Sequence, residues 1–324
     1  MDERLDFRLL NDFQRDFPLC PAPFADLAAR LGVAEAAVLR ALEALRRAGK
    51  VARVGAVFAP KRIGASTLAA MAVPAAELAT VAGVVNRFPE VNHNYEREHR
   101  YNLWFVVTAG SEARLQAALA AIEAAAGWPV LRLPLIEEYH IDLGFRLDGA
   151  DDPARRGVRR ESFSAPTPLE ERERRLVMVL QEGLPLFIRP FAVLASRIGC
   201  AEDEVIETIA RWCREGIIKR FGVVVRHHEL GYMANAMLVH DVPDGEVGEV
   251  GERLAREAGI NLCYQRPRVE PEWRYNLFCM IHGQVRAEVE ARIAELRARL
   301  DLMRYAHDVL FSLTRFKQSG AHYA

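Results

Sequence analysis

The sequence predicts an α+β fold built twice in tandem. Each copy is a winged helix-turn-helix followed by a ferredoxin-like αβ sandwich, and the two copies form an internal pseudo-dimer. Three features of the chain lead there. At 324 residues it is too long for one small core. It also repeats itself in order: "PFADLAARLGVAEAAVLRALEALRRAGKVARVGAVF" is answered by "PFAVLASRIGCAEDEVIETIARWCREGIIKRFGVVV", "RIGASTLAAMAVP" by "ELGYMANAMLVHDVP", and "NHNYER…RYNLWF" by "NLCYQR…WRYNLF". Finally, the spacing of apolar residues changes within each copy from helical to alternating.

In the first copy, apolar residues at helical spacing in "LDFRLLNDFQ", "FADLAARLG" and "AEAAVLRALEALRRAG" predict three helices. A short glycine-containing turn joins the last two, which is the helix-turn-helix arrangement. "KVARVGAVFAP" follows as a β-rich stretch whose alternation breaks at Gly55, read as a two-stranded wing. Next come strand "TLAAMAV", helix "AAELATVAGVVNRF", the stretch "NHNYEREHRYNLWFVVTAG" with its return strand, helix "SEARLQAALAAIEAAAG", and a last strand near "EEYHIDLGFRL". That β-α-β-β-α-β order is the ferredoxin-like sandwich. Helices on one face leave the other face free for a second sheet, expected to be the other copy's. "RLDGADDPARRGVRRESFSAPTPLEERE" reads as a surface linker. The expected boundaries are 1–60 and 61–148 for the first copy's two modules, 149–168 for the linker, and 169–227 and 228–324 for the second copy.

Composition narrows the function. Hydrophobic residues make up 51% and charged residues 27%, as in a soluble globular protein. No apolar run reaches the roughly 20 residues that cross a bilayer, and "MDERLDFRLL" lacks a signal peptide's basic-then-apolar order. A cytoplasmic protein with no membrane partner is expected. The five cysteines (Cys20, Cys200, Cys213, Cys263, Cys279) are scattered without a CxxC, which argues against a zinc site or a disulfide framework. A formal net charge of −1 supplies no global field toward DNA. The reading helices agree. The second begins "AEDEVIE", with Glu202, Asp203, Glu204 and Glu207 where a polyanion would dock, and the first offers Arg40 as its only early base. DNA is not an expected partner.

Residues 92–105, "NHNYEREHRYNLWF", hold two histidines, two arginines, two tyrosines and a tryptophan. A surface loop has no need of so many rings, and a core strand no need of so many charges. Strand alternation puts His93, Tyr95, Arg97 and His99 on one face, and Tyr264, Arg266 and Arg268 on one face in the second copy. Arginine grips a carboxylate with a planar fork, so the pattern suits an anionic aromatic ligand. Arg100, Tyr101, Trp273, Arg274 and Tyr275 extend the same set, whereas Trp104 and Phe278 read as packing.

A winged helix-turn-helix followed by a ferredoxin-like module resembles the Lrp/AsnC family of transcription regulators. The paired signatures resemble more closely an offshoot of it, the siroheme decarboxylases, whose D-type and L-type subunits are sometimes fused. The resemblance rests on "NHNYEREHRYNLWF" with "YHIDLGF" in the first copy, and on "KRFGVVVRHHELGY", "CYQRP" and "WRYNLFCMIHG" in the second, and it covers both halves nearly end to end. It implies removal of CO2 from two acetate side chains of siroheme to give 12,18-didecarboxysiroheme, in haem d1 formation or an alternative haem route. It implies no cofactor beyond the iron of the substrate. Expected partners are siroheme and other haem d1 biosynthesis proteins, with oligomers beyond the pseudo-dimer left open.

Siroheme is a flat macrocycle bearing eight carboxylates, and its pocket needs apolar walls with fixed cations at the rim. In that light His93 or His99 is the expected proton donor, with Tyr95 and Arg97 positioning the acetate. Arg100, Tyr101, Tyr264, Arg266, Arg268, Trp273, Arg274 and Tyr275 are the expected substrate-binding residues. His227 and His282 are candidate axial ligands of the substrate iron. Two other functions compete: an Lrp/AsnC-type regulator, which would shift operator DNA, and a non-catalytic tetrapyrrole binder, which would hold siroheme without loss of mass.

Overall fold

The computed structural model describes residues 3–59, 61–141, 167–321 and 323, and the expected linker at 149–168 lies outside them apart from residues 167 and 168. The first copy runs α1 (Glu3–Asp12), α2 (Pro23–Leu31), α3 (Glu35–Arg47), β1 (Val51–Phe58), β2 (Ala65–Met71), α4 (Leu78–Asn86), β3 (Val91–Arg97), β4 (Leu103–Ala109), α5 (Glu112–Ala126), β5 (Leu131–Pro134) and β6 (Glu137–Ile141). The second runs α6 (Glu171–Glu182), α7 (Pro190–Ile198), α8 (Glu202–Arg214), β7 (Ile218–Val225), β8 (Ala234–His240), α9 (Val247–Ala255), β9 (Ile260–Gln265), β10 (Leu277–Gly283), α10 (Arg286–Arg299) and β11 (His307–Gln318).

The same local signals shape matching elements. Pro23 and Pro190 open α2 and α7, where a missing N–H costs nothing, and Gly32 and Gly199 end them at φ 70° and 72°. The helices of both winged modules share one core with the wing strands, around Phe24, Leu42, Phe191 and Trp212. The wing itself departs from expectation. Val51–Phe58 is one unbroken strand, with no internal turn to make a hairpin. Its ladder partner comes from the other copy: β1 pairs antiparallel with β7, and Gly55 faces Gly222. Each copy's strand thus satisfies the other's backbone. Gly222 lets the first copy's chain approach, since a Cβ there would stand 2.5 Å from the Phe13 carbonyl oxygen.

Each copy's sheet has the ferredoxin-like order, β5-β2-β4-β3 and β11-β8-β10-β9, and the two join into nine strands. The fourth strand of the first copy is β5 rather than the "EEYHI" segment the sequence pointed to. That segment is β6, and it crosses to pair with β9. Pro134, which has no N–H for a ladder, closes β5, and the Ile136 N–H already donates to the Gln265 carbonyl at 2.9 Å. The second copy does both jobs with one twelve-residue strand: β11 pairs with β8 up to Phe311 and with β3 from Ser312 onward.

β5 and β6 are consecutive in the chain yet occupy opposite edges of the sheet, so the nine strands curl until their inner faces meet. Helices cover each outer face over cores that include Leu103, Phe105 and Ile122 in one copy and Leu238, Cys263 and Ile293 in the other. The inner faces share a core containing Trp104, Leu133, Met237, Trp273, Phe278 and Leu310, which is the sheet-on-sheet pairing expected from the sequence. Among the described residues no helix is long and apolar enough to cross a membrane.

Candidate active site

A bulge sets the phase of β3. Its register shifts between Val91 and His93, which leaves Val91 on the helix-covered face. Asn94 shares that face, its Nδ2 donating to the Ala82 carbonyl (3.3 Å) and Asn86 Oδ1 (2.9 Å). His93, Tyr95 and Arg97 therefore point inward. β9 has the matching irregularity opposite Ile281 and turns Leu262, Tyr264 and Arg266 inward. His99 does not join them, because β3 ends at Arg97. It sits in the hairpin, its Nδ1 accepting the Tyr101 N–H at 2.9 Å and its ring edge-on to Trp273 at 5.4 Å. Its Nε2 lies 3.5 Å from Asp308. Burial lowers its pKa, and Asp308 partly opposes that.

Two arginines are set between the sheets with no acid to pair with among the described residues. Arg97 is 8% exposed; its Nη1 donates to the Leu310 carbonyl at 3.0 Å and its Nη2 lies 4.0 Å from the Met280 sulfur. Arg266, at the equivalent place in the repeat, donates to the Leu133 carbonyl and lays its guanidinium 4.6 Å from the Tyr264 ring centroid. Its Nε has neither solvent nor a partner. Among the described residues neither arginine meets a carboxylate. Burial pulls Arg97 down to about 10, against Tyr264 and Tyr95, and lowers Arg266 against Tyr264. Lys61 lies near both Arg266 and Glu112 and bonds the Leu135 carbonyl; burial, then Arg266, lowers its pKa, and Glu112 opposes them. A cation withdrawn from water without an anion costs several kcal/mol. A fold that keeps Arg97 and Arg266 in that position marks an anion-binding site.

Each copy also holds one inward histidine, at different positions but in the same grip. His93 Nδ1 lies 2.7 Å from Asn92 Oδ1, and His282 Nδ1 lies 2.9 Å from Asn261 Oδ1. Asn92 and Asn261 are equivalent in the repeat. An amide oxygen only accepts, so both rings carry their hydrogen on Nδ1. Asn92 is itself held, its Nδ2 donating to Thr108 Oγ1 (2.9 Å) and the Thr108 hydroxyl donating to Ser66 Oγ (3.2 Å). In the second copy His282 replaces Thr108 and Asn235 replaces Ser66, and Asn235 Nδ2 donates to His282 Nε2 at 3.1 Å. Burial drives both histidines down to about 4, reinforced by Arg53 at His93 and by Arg97 at His282. Both are neutral at pH 7. Tyr95, stacked 6.3 Å from His93, is raised by burial and stays a phenol.

The other expected residues divide. Trp273 is 2% exposed and packs 5.2 Å from Trp104, 5.9 Å from Phe278, 6.1 Å from Tyr101 and 5.1 Å from Tyr275. Together they fill the hairpin end of the sandwich, where Trp273 and Tyr101 pack. Arg268 and Arg274 are drawn away from Arg266, because β9 ends at Gln265. Arg268 bonds Asp241 (2.9 Å), Asp244 (2.5 Å) and the Val242 carbonyl (2.5 Å), and Arg274 bonds Asp241 at 2.8 Å. Their forks tie the segment between β9 and β10 to the turn after β8. Arg100 is exposed, 5.7 Å from the Tyr101 ring centroid. His227 begins a short 3-10 turn, and its side chain lies outside the described part of the structure. Asn92, Asn261 and Thr108, which hold the histidines, were missed at the sequence level, although an asparagine recurring at the equivalent place in both copies was a usable signal.

Comparison with known proteins agrees with this architecture. Residues 62–140 and 229–317 match the AsnC-like ligand binding domain, and residues 6–51 and 173–219 match the siroheme decarboxylase NirDL-like HTH domain. The siroheme decarboxylase NirDL subunit of Paracoccus denitrificans (strain Pd 1222) is 44% identical over 321 residues, spanning 99% of this chain and 97% of that protein. A crystal structure of the siroheme decarboxylase NirDL superposes with a TM-score of 0.71 at 31% identity, covering 98% of this chain and 94% of the other. A second, in co-complex with an iron-uroporphyrin III analogue, has a TM-score of 0.71 at 29% identity, covering 100% and 94%. Matched in both repeats and aligned end to end with a curated relative, the chain belongs to the siroheme decarboxylase family.

Proposed function

We propose that this chain decarboxylates siroheme, converting two acetate side chains to methyls in haem d1 formation or an alternative haem route. One observation carries the proposal: Arg97 and Arg266 lie between the sheets without a carboxylate partner among the described residues. A macrocycle with carboxylates around its rim supplies those anions, and the aromatic inner faces supply a wall for its ring. The solved relative that holds an iron-uroporphyrin III analogue supports the same ligand class.

Loss of CO2 breaks the bond between the side-chain carbon and its carboxylate. The electron pair stays on that carbon, where the conjugated macrocycle spreads it, and one proton then completes the methyl. Each round releases one CO2, consumes one proton and needs no external oxidant or reductant. No cofactor beyond the substrate's iron enters. His93 is the proton donor, with Tyr95 and Arg97 positioning the acetate. In the ligand-free protein its Nε2 is unprotonated, and carboxylates brought beside it raise its pKa and load that nitrogen. Arg266 holds a carboxylate that is not lost, so remote binding fixes the reacting one. His282 suits the iron less well than the sequence suggested, because its Nε2 already accepts from Asn235; His227 is the other candidate ligand.

The cytoplasm is the proposed setting, with other haem d1 proteins delivering siroheme and taking the product. DNA is not a ligand in this reading: α8 opens with Glu202, Asp203 and Glu204, of which Glu202 pairs with Arg189 and Glu204 with Arg172. Anaerobic incubation with siroheme followed by mass spectrometry tests the proposal. Two successive losses of CO2 are expected. Tight binding without a change of mass would overturn it in favour of a carrier.

A further inference from the structure

Outside the ferredoxin-like sheets, Arg53 is an enclosed cation that meets no acid among the described residues. Arg53 stands on β1, the first copy's wing strand. Its stem lies against Gly183, where any Cβ would come within 2.7 Å of the Arg53 Cβ, and its Nη2 donates to the Ala56 carbonyl at 2.9 Å. Its Nε is shut off from solvent and has no partner. The chain after β11 passes over its other end: a Cβ on Gly320 would sit 3.2 Å from Arg53 Nη1. The Ser319 N–H in that segment donates to the Asn92 carbonyl at 2.8 Å, next to His93. The charges Arg53 acts on are His93, which it helps push down, and Tyr323, whose pKa burial raises to about 12 against the pull of Arg53.

The repeat provides a control within the same molecule. Arg220 is the equivalent residue on β7, and its Nη1 donates to the Gln14 carbonyl at 3.2 Å, holding the segment after α1. The neighbouring Lys219 is paired with Glu138. The second wing's cations are thus committed to holding the fold, whereas among the described residues Arg53 meets no carboxylate.

We propose that Arg53 is a substrate-binding residue that takes a rim carboxylate of the tetrapyrrole on the His93 side, which makes the first wing a wall of the active site. The winged module then serves recognition of the substrate as well as packing. This inference rests on the siroheme reading and adds to it a contact from outside the ferredoxin-like domains.

The test uses the full chain as wild type, Arg53→Gln and Arg53→Lys, titrated by absorbance with iron uroporphyrin III, which carries eight carboxylates. Arg53→Gln is expected to weaken binding by about 10- to 100-fold, the range for loss of a charge-assisted hydrogen bond. It should also flatten the dependence of affinity on salt, because one ion contact is gone. Arg53→Lys, which keeps the charge and loses the fork, should fall between the two. A purely structural role would weaken binding without altering the salt dependence. Unchanged affinity and salt dependence in a folded Arg53→Gln variant would overturn the assignment of Arg53 and leave the siroheme reading standing. A wild type that fails to bind iron uroporphyrin III would bring down both.

Discussion

Replacing Arg97 with methionine should separate what this side chain costs the fold from what it gives the ligand. Arg97 is buried between two sheets, and among the described residues its one hydrogen bond to a protein oxygen goes to the Leu310 carbonyl at 3.0 Å. The fall of its pKa to about 10 corresponds to roughly 3 kcal/mol against the charged form in the ligand-free protein. Methionine has a similar length, no charge to desolvate, and neighbours it can pack against in Met280 and Tyr264. Exchanging an unpaired buried ion for an apolar residue is neutral or stabilising. Arg97→Met is therefore expected to raise the unfolding free energy of the free protein by about 1–3 kcal/mol, read from the urea midpoint at constant m. In the proposed complex the same change removes a fork from the tetrapyrrole's carboxylates and should weaken iron uroporphyrin III by at least about 100-fold. Gain in one assay and loss in the other is the signature of a residue kept for binding. A variant that is less stable by more than about 1 kcal/mol yet binds as tightly as wild type would refute the reasoning.

Further outcomes follow from the same geometry. Asn92→Leu releases His93 Nδ1 and the Thr108–Ser66 chain behind it; kcat should fall by about 10- to 100-fold with a smaller change in KM, measured by CO2 release. His93 and His282 at about 4 and His240 at about 3 all lie below the ordinary histidine value, so the unfolded chain binds more protons between pH 6.5 and those values. Stability is therefore complete above pH 6.5 and falls as pH drops from there toward 4, and His240→Phe, which removes a ring whose two nitrogens have no partner, should move the acid unfolding midpoint to lower pH. Arg268→Ala should lower stability by about 0.5–1.5 kcal/mol through loss of the Asp241–Asp244 tie, with affinity for iron uroporphyrin III unchanged within about twofold.

The duplication, the order of elements and the meeting of two sheets were legible because they rest on periodicity and repetition, which a single sequence displays. The cross-copy wing and the crossing of β6 to β9 were not, because backbone hydrogen bonds between copies decide them and leave no local mark. At the site, alternation identified His93, Tyr95 and Arg97 as neighbours on one face. It then ran past the ends of the strands: His99 and Arg268 follow the pattern by count, but β3 stops at Arg97 and β9 at Gln265. Asp241, which captures Arg268, lies 27 residues earlier in the chain, so its claim on that guanidinium appears only in three dimensions. The same holds for Arg53, which reads as an ordinary wing residue until its Nη1 is seen beside Gly320, one residue from the Ser319 that bonds Asn92.

The most direct measurement is a crystal structure of this chain with iron uroporphyrin III. Rim carboxylates bonded to Arg97 and Arg266, with the ring between the two inner faces, are the predicted result. A ring seated outside the sandwich, with both guanidiniums still bonded only to Leu310 and Leu133, would contradict it.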